Sequence, residues 1–188
     1  FETFFEERRP FFTEGAKVFG DFGRSGASQY WGFFRPEPTL YYSRRIGRYP
    51  QVKVNDRYVD IPSWTTILGA AKVVGRTRSG WTLGALQAVT GREFAELSDG
   101  NRTVKAEVEP LSSYTVFRAQ RELGRRAAIG LLGTSVFREL DDPALKSYLA
   151  DRAVMLGVDG HVFLDSARNW VFHGGLAGSS VHGATDAI

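Results

Sequence analysis

The sequence predicts an all-β fold: an antiparallel up-and-down meander that forms a fragment of an outer-membrane β-barrel. Three observations carry this expectation. Strand-like runs about ten residues or longer occur in pairs, each pair is closed by a very short polar turn, and much longer polar connections separate the pairs. Tilted strands of about 9–11 residues cross a bilayer, and outer-membrane barrels alternate short periplasmic turns with long outer loops.

Residues 1–62 form a lead-in of different character. Phe-rich and Arg-rich strings (Phe4-Phe5, Arg8-Arg9-Pro10-Phe11-Phe12, Phe33-Phe34-Arg35-Pro36) are mixed with Gly and Pro, which interrupt long regular elements. One or two strands are expected there, one of them at Leu40–Gly47. Residues 63–188 carry the meander of about six long strands. The runs are Ile67–Arg76 with Trp81–Thr90, Ser113–Leu123 with Arg126–Glu139, and Arg152–Asp165 with Asn169–Ala184. The long connections are Gly91–Ser112 and Leu140–Asp151.

Side chains alternate across a strand, so each membrane strand should be apolar on one parity and polar on the other. In the first hairpin the apolar row is odd: Val73, Trp81, Leu83, Ala85 and Val89, against Lys72, Arg76, Thr82 and Thr90. A turn centred on Arg78 pairs odd with odd; Gln87, Leu68, Val74 and Leu86 blur the pattern. In the second hairpin Phe117, Ala119, Ile129, Leu131 and Phe137 are odd, and Arg118, Gln120, Glu122, Thr134 and Arg138 even. One shared face demands an odd-length turn such as Leu123-Gly124-Arg125, with Gly124 at positive φ. In the third hairpin the apolar row moves to even numbers, Val154, Leu156, Val158, Val162, Trp170, Phe172 and Leu176, leaving Asp159, His161 and His173 on the other face. Trp81 and Trp170 follow short turns on the apolar row, the place of a membrane-interface aromatic girdle. The alternative is the rim of a soluble β-sandwich.

The 188 residues suffice for one domain or for part of a larger one. The chain starts at Phe1 without a signal segment and ends Thr185-Asp186-Ala187-Ile188 without a terminal aromatic, so it reads as an internal fragment. No stretch approaches the roughly 18–20 apolar residues of a transmembrane helix. There is no cysteine. The net charge is +3, and its arginines are scattered among 21 acidic residues rather than gathered as on a nucleic-acid surface. No nucleic-acid partner is expected.

A third turn centred on Ala167 sets His161 opposite His173 with Asp159 one step along, a set that could bind zinc or serve as polar residues bonded to water or arginine. Glu107 and Glu109 have the chemistry of a glycosidase pair, but period-two spacing is also that of a solvated strand edge. Asp141-Asp142-Pro143 reads as a turn or the start of a short helix through Leu149. No nucleophile elbow, phosphate loop or metalloprotease helix occurs, so no catalytic residue, cofactor or metal is assigned. Arg8, Arg9, Arg44, Arg45 and Arg48 bind either an anionic glycan or lipopolysaccharide phosphate, or internal carboxylates such as Glu6, Glu7 and Glu14.

Two strings are more specific. Arg8-Arg9-Pro10-Phe11-Phe12-Thr13-Glu14-Gly15 and Ser43-Arg44-Arg45-Ile46-Gly47 resemble a bacterial family: the C-terminal domain of unknown function of proteins whose N-terminal part is a family 9-like carbohydrate-binding module. Ile67-Leu68-Gly69-Ala70-Ala71-Lys72, Val108-Glu109-Pro110-Leu111 and Trp170 with Leu176-Ala177-Gly178-Ser179 extend the resemblance. It implies a barrel-like domain in the outer membrane of a Gram-negative bacterium, a sugar-binding domain upstream, relatives named membrane-associated hydrolase, and relatives that continue past this chain's end. The function expected is a barrel segment of a two-domain envelope protein that binds or processes carbohydrate, with the lipid bilayer, the upstream domain and glycan as partners. The alternatives are a carbohydrate-active hydrolase with its site in outer loops such as Gly91–Ser112, and a soluble β-sandwich glycan-binding module.

Overall fold

The computed structural model describes residues 5–23, 39–54, 58–98 and 100–184. Phe4, the Phe33-Phe34-Arg35-Pro36 string and Thr185–Ile188 lie outside them. The fold is all-β and antiparallel. Its main sheet has six strands in the order β2 (Ile67–Arg76), β3 (Trp81–Thr90), β6 (Ser112–Leu123), β7 (Ala127–Arg138), β8 (Arg152–Phe163) and β9 (Val171–His182). Among the described residues the sheet is open, with β2 and β9 at its edges. No helix among the described residues is long and apolar enough to cross a membrane.

The turn registers refine the expected ones. The first turn is centred on Ser79 rather than Arg78, because Lys72 pairs with Leu86 and Gly80 closes the loop at φ 83°. The second comprises Gly124-Arg125-Arg126, one residue later than expected, because Leu123 pairs with Ala127. Gly124 opens that loop at φ 68°, a left-handed conformation that glycine adopts without a Cβ penalty. Both shifts preserve parity. The third hairpin sets His161 opposite His173, and Leu164 N donates to Trp170 O across the turn.

Two expectations fail locally. Leu40–Gly47 is not a strand but contains a 3-10 turn, Ser43–Arg45, followed by Gly47 at φ 75°. The carbonyls of Ser43 and Ile46 accept from the Arg9 guanidinium instead of a neighbouring strand. The connection from Gly91 to Ser112 is not merely loop. It holds β4 (Glu93–Ser98) and β5 (Thr103–Glu109), which join β1 (Tyr58–Asp60) in a second sheet ordered β1-β4-β5. Ala95 and Val108 of this sheet pack with Val52 and with Leu145 and Leu149 of the connection between β7 and β8. That connection carries helix α3 (Pro143–Tyr148), started by Pro143 and by the Asp142 carboxylate accepting from Ala144 N.

The two faces of the main sheet differ sharply. One is covered by the lead-in, which forms helices α1 (Pro10–Thr13) and α2 (Ala16–Gly20) separated by Gly15 at φ 65°. Phe12, Phe19, Phe22 and Ile46 pack there on Leu86, Ala88, Val116 and Leu132. Three of the four parity exceptions find a place. Leu86 belongs to this core, Val74 lies against Gly15, and Gln87 on the opposite face exchanges hydrogen bonds with Ser113 and Thr115. The other face is bare and largely apolar: Val73, Leu83, Phe117, Ile129, Leu131, Phe137, Leu156, Val158, Phe172 and Leu176 are all exposed, Leu176 to 81%, beside the polar group of Gln87, Ser113 and Thr115. Every apolar row read from parity lies on this one face, since Leu83 pairs with Ala119 and Leu131 with Val158.

The aromatic rings need sockets in the covered face. A Cβ on Gly157 would sit 2.6 Å from the Phe22 ring, and one on Gly84 2.9 Å from the Phe19 ring. Gly157→Ala should therefore destabilise the protein by about 1–3 kcal/mol in equilibrium unfolding. Gly69→Ala, where nothing lies within 4 Å, should stay within about 0.5 kcal/mol. Phe22→Ala combined with Gly157→Ala should cost less than the sum of the single changes.

Candidate functional site

Among the described residues, the polar face of the main sheet and the lead-in on it carry the most extensive buried polar network. Arg118 on β6 and Asp159 on β8 are both fully buried and form a two-pronged ion pair at 2.6 and 2.9 Å. Gly130 of β7 lies beside Asp159 in the register and puts no side chain between them. The pair also holds the lead-in. Arg118 donates to the Asp21 carbonyl at 3.0 Å, and the Asp159 carboxylate accepts from Gly23 N at 2.8 Å. The Phe22 ring between these two anchors lies under the guanidinium, 5.8 Å from it.

A second clamp joins the two most specific sequence strings. Arg9 donates to both Glu7 carboxylate oxygens and to the carbonyls of Ser43 and Ile46, and its guanidinium covers the Phe12 ring at 4.2 Å. The Ser43 hydroxyl donates to Glu7 at 2.6 Å. Burial raises the Glu7 carboxyl, but the hydrogen bonds from Arg9 and Ser43 outweigh it and hold its pKa at about 2. Lys72 of β2 donates to the carbonyls of Phe11 and Glu14, tying the same lead-in to the sheet edge. Pro10 starts α1, Gly15 ends it, and Phe11 stacks edge-on against Phe12. Arg44 donates to the Glu6 carbonyl and lies over the Phe5 ring, whereas Arg8 is exposed.

Between the turn that carries Gly47 and the strands β6, β7 and β8 lies a cleft of about 690 Å³. Tyr41, Arg45, Arg48, Tyr114, Thr134 and Arg138 line it, and no carboxylate does. The Tyr41 Oη and the Nε atoms of Arg48 and Arg138 are buried without a hydrogen-bond partner. Burial and the nearby Glu7 carboxylate push the Tyr41 hydroxyl well above the usual phenol range, so it stays a donor. Burial pulls Arg48 down from the usual guanidinium range, with Glu109 opposing and Arg138 and Arg45 reinforcing the shift.

The other sequence candidates disperse. His161 and His173 are register partners, but Asp159 is taken by Arg118 and Gly23, and His161 lies edge-on to Phe163. Among the described residues no group of three His, Asp or Glu could hold a metal. Glu107 is paired with Arg92, which also binds Glu139 and Asp141. Glu109 is buried and accepts from the backbone and side chain of Gln51. Trp81 begins β3 with Arg121 over its ring at 5.2 Å, and Trp170, 71% exposed, immediately precedes β9 at the same end of the sheet. Arg118 was legible as a polar-row residue, but its partner lies two strands away, beyond any single hairpin register.

A model of the family described as a domain of unknown function (DUF5916) matches residues 1–144. No curated protein and no solved structure matches the chain.

The Glu7 carboxyl has a folded pKa below its ordinary 4.5, so its contribution to lead-in docking is complete above that value and is lost as pH falls towards 2. Hydrogen exchange of residues 5–23 should accelerate across that window, and Glu7→Gln should remove the Glu7-dependent part of the change. Asp159→Asn leaves Arg118 buried without its counter-charge and should cost about 3–5 kcal/mol, with the same lead-in amides exchanging faster at neutral pH.

Proposed function

We propose that this chain, which belongs to the domain-of-unknown-function family DUF5916, is a segment of an outer-membrane β-barrel whose interior is filled by its own lead-in. The observation that carries the reading is the pairing of opposite faces on one sheet. Strands of 10–12 residues match the length needed to cross a bilayer at a tilt. Their bare face exposes large apolar side chains on all six strands, whereas soluble monomers rarely expose contiguous apolar surface of this kind. Their other face carries arginines, carboxylates and hydroxyls, as a barrel interior does. Trp81 and Trp170 stand at the turn end of the apolar face, where aromatic residues mark a membrane interface.

In this reading the exposed edges of β2 and β9 are where further strands continue the barrel. The second sheet and α3 stand at the end of the long connections, the outer side. A β-sandwich would cover the apolar face with another sheet; here the lead-in covers the polar face instead. The carbohydrate part of the proposal, a two-domain envelope protein with a sugar-binding domain upstream, rests on the resemblance of the Arg8–Gly15 and Ser43–Gly47 strings.

Two measurements test the membrane reading. After carbonate washing, the full-length protein should stay with the outer-membrane fraction and need detergent for release; recovery in the aqueous phase overturns the proposal. Leu131→Arg, near the middle of β7, should destabilise the folded state in bilayers by about 2–4 kcal/mol, whereas Leu131→Phe should be tolerated.

A further inference from the structure

We propose that the cleft between the turn carrying Gly47 and strands β6–β8 binds an anionic saccharide, a sugar bearing a carboxylate or phosphate group. The inference stands on the chemistry of the cleft and does not depend on the membrane reading. Its volume of about 690 Å³ falls within the roughly 300–1,000 Å³ typical of small-ligand sites. Three guanidinium groups, from Arg45, Arg48 and Arg138, line it without a lining carboxylate. The buried Glu109 behind the lining offsets part of the charge of Arg48; the remaining excess of guanidinium groups favours an anion, and the planar fork of arginine matches a carboxylate or phosphate better than a lysine would.

Orphaned polar atoms gather at the same place. Four buried side-chain atoms among the described residues have no hydrogen-bond partner, and three of them, Tyr41 Oη, Arg48 Nε and Arg138 Nε, belong to residues that line this cleft. Buried polar groups are ordinarily satisfied, so such a concentration marks a place where a ligand completes the network. Tyr41 and Tyr114 contribute aromatic lining to the cleft, and the Thr134 and Ser179 hydroxyls, on the same face of the sheet, offer groups that both donate and accept, as sugar hydroxyls require. The arginines of the two sequence strings thus divide. Arg9 and Arg44 are bonded to the lead-in, while Arg45, Arg48 and Arg138, the last also donating to the Ala150 carbonyl, line the cleft.

The test is calorimetric titration of the purified full-length protein in detergent with three probes: a galacturonate disaccharide, a hexose phosphate, and the neutral galactose disaccharide. Binding of either charged probe at least roughly tenfold tighter than the neutral one is expected, because a bonded charge is worth about 1.5–3 kcal/mol. The better charged probe identifies the group, carboxylate or phosphate. Tyr41→Phe removes only an unpartnered hydroxyl and should weaken the charged probe several-fold with unchanged thermal unfolding. Arg48→Gln should weaken it at least tenfold and leave the neutral probe unaffected. Equal affinity for charged and neutral probes, no binding by folded protein, or full affinity in both variants overturns the proposal. Any of these results leaves the membrane reading standing, since fractionation is measured separately.

Discussion

The buried pair of Arg118 and Asp159 is the constraint on which the rest of the arrangement hangs. Two ionised groups removed from water are costly unless the geometry is nearly complete, and here each prong of the guanidinium meets a carboxylate oxygen while both partners also engage the backbone of Asp21 and Gly23. The pair cannot be satisfied by the sheet alone. It needs the lead-in, and the lead-in needs it, because Phe22 is held between the two anchors with its ring against Gly157 and Gly175.

From this coupling follows the division of labour between the faces. The apolar residues on the lead-in, Phe12, Phe19, Phe22 and Ile46, face the sheet's polar side, which supplies Leu86, Val116 and Leu132 between its charged residues. Apolar rows of the opposite side receive nothing from the described chain. An ordinary globular domain closes its core between two apolar layers. This one closes it between an aromatic strap and a polar sheet face, and leaves its most regular apolar surface outside. The proposed bilayer supplies what that surface lacks.

Much of the sheet was legible because side-chain parity is rigid. Once Val73 and Leu83 share a face, the odd-length turn at Gly124 and the switch to even numbers at Val154 leave little freedom, and turn centres wrong by one residue did no harm to the faces. Legibility failed where the chain is short-ranged and mixed. The alternation of Val104, Ala106 and Val108 with Lys105, Glu107 and Glu109 is a strand signal, yet its brevity and charge made it pass for a loop. The 3-10 turn at Ser43–Arg45 lies between strand-like residues, Leu40-Tyr41-Tyr42 and Ile46, and the carbonyls of Ser43 and Ile46 go to Arg9, 34 and 37 residues away, rather than to a ladder. Of the candidate site, the arginines were visible as a set; which of them turn inward to Glu7 and which line the cleft depends on contacts between distant segments that no local pattern records.

The anchoring of the lead-in also fixes an order of events during folding. Gly23 reaches Asp159 across 136 residues, and Asp21 reaches Arg118 across 97. Contacts so remote in sequence form slowly, because the loop they close must be ordered before they repay it. The lead-in, which precedes the sheet in the chain, therefore has no native binding surface until β6 and β8 both stand in register. Its exposed phenylalanines must wait unburied through most of the chain's assembly.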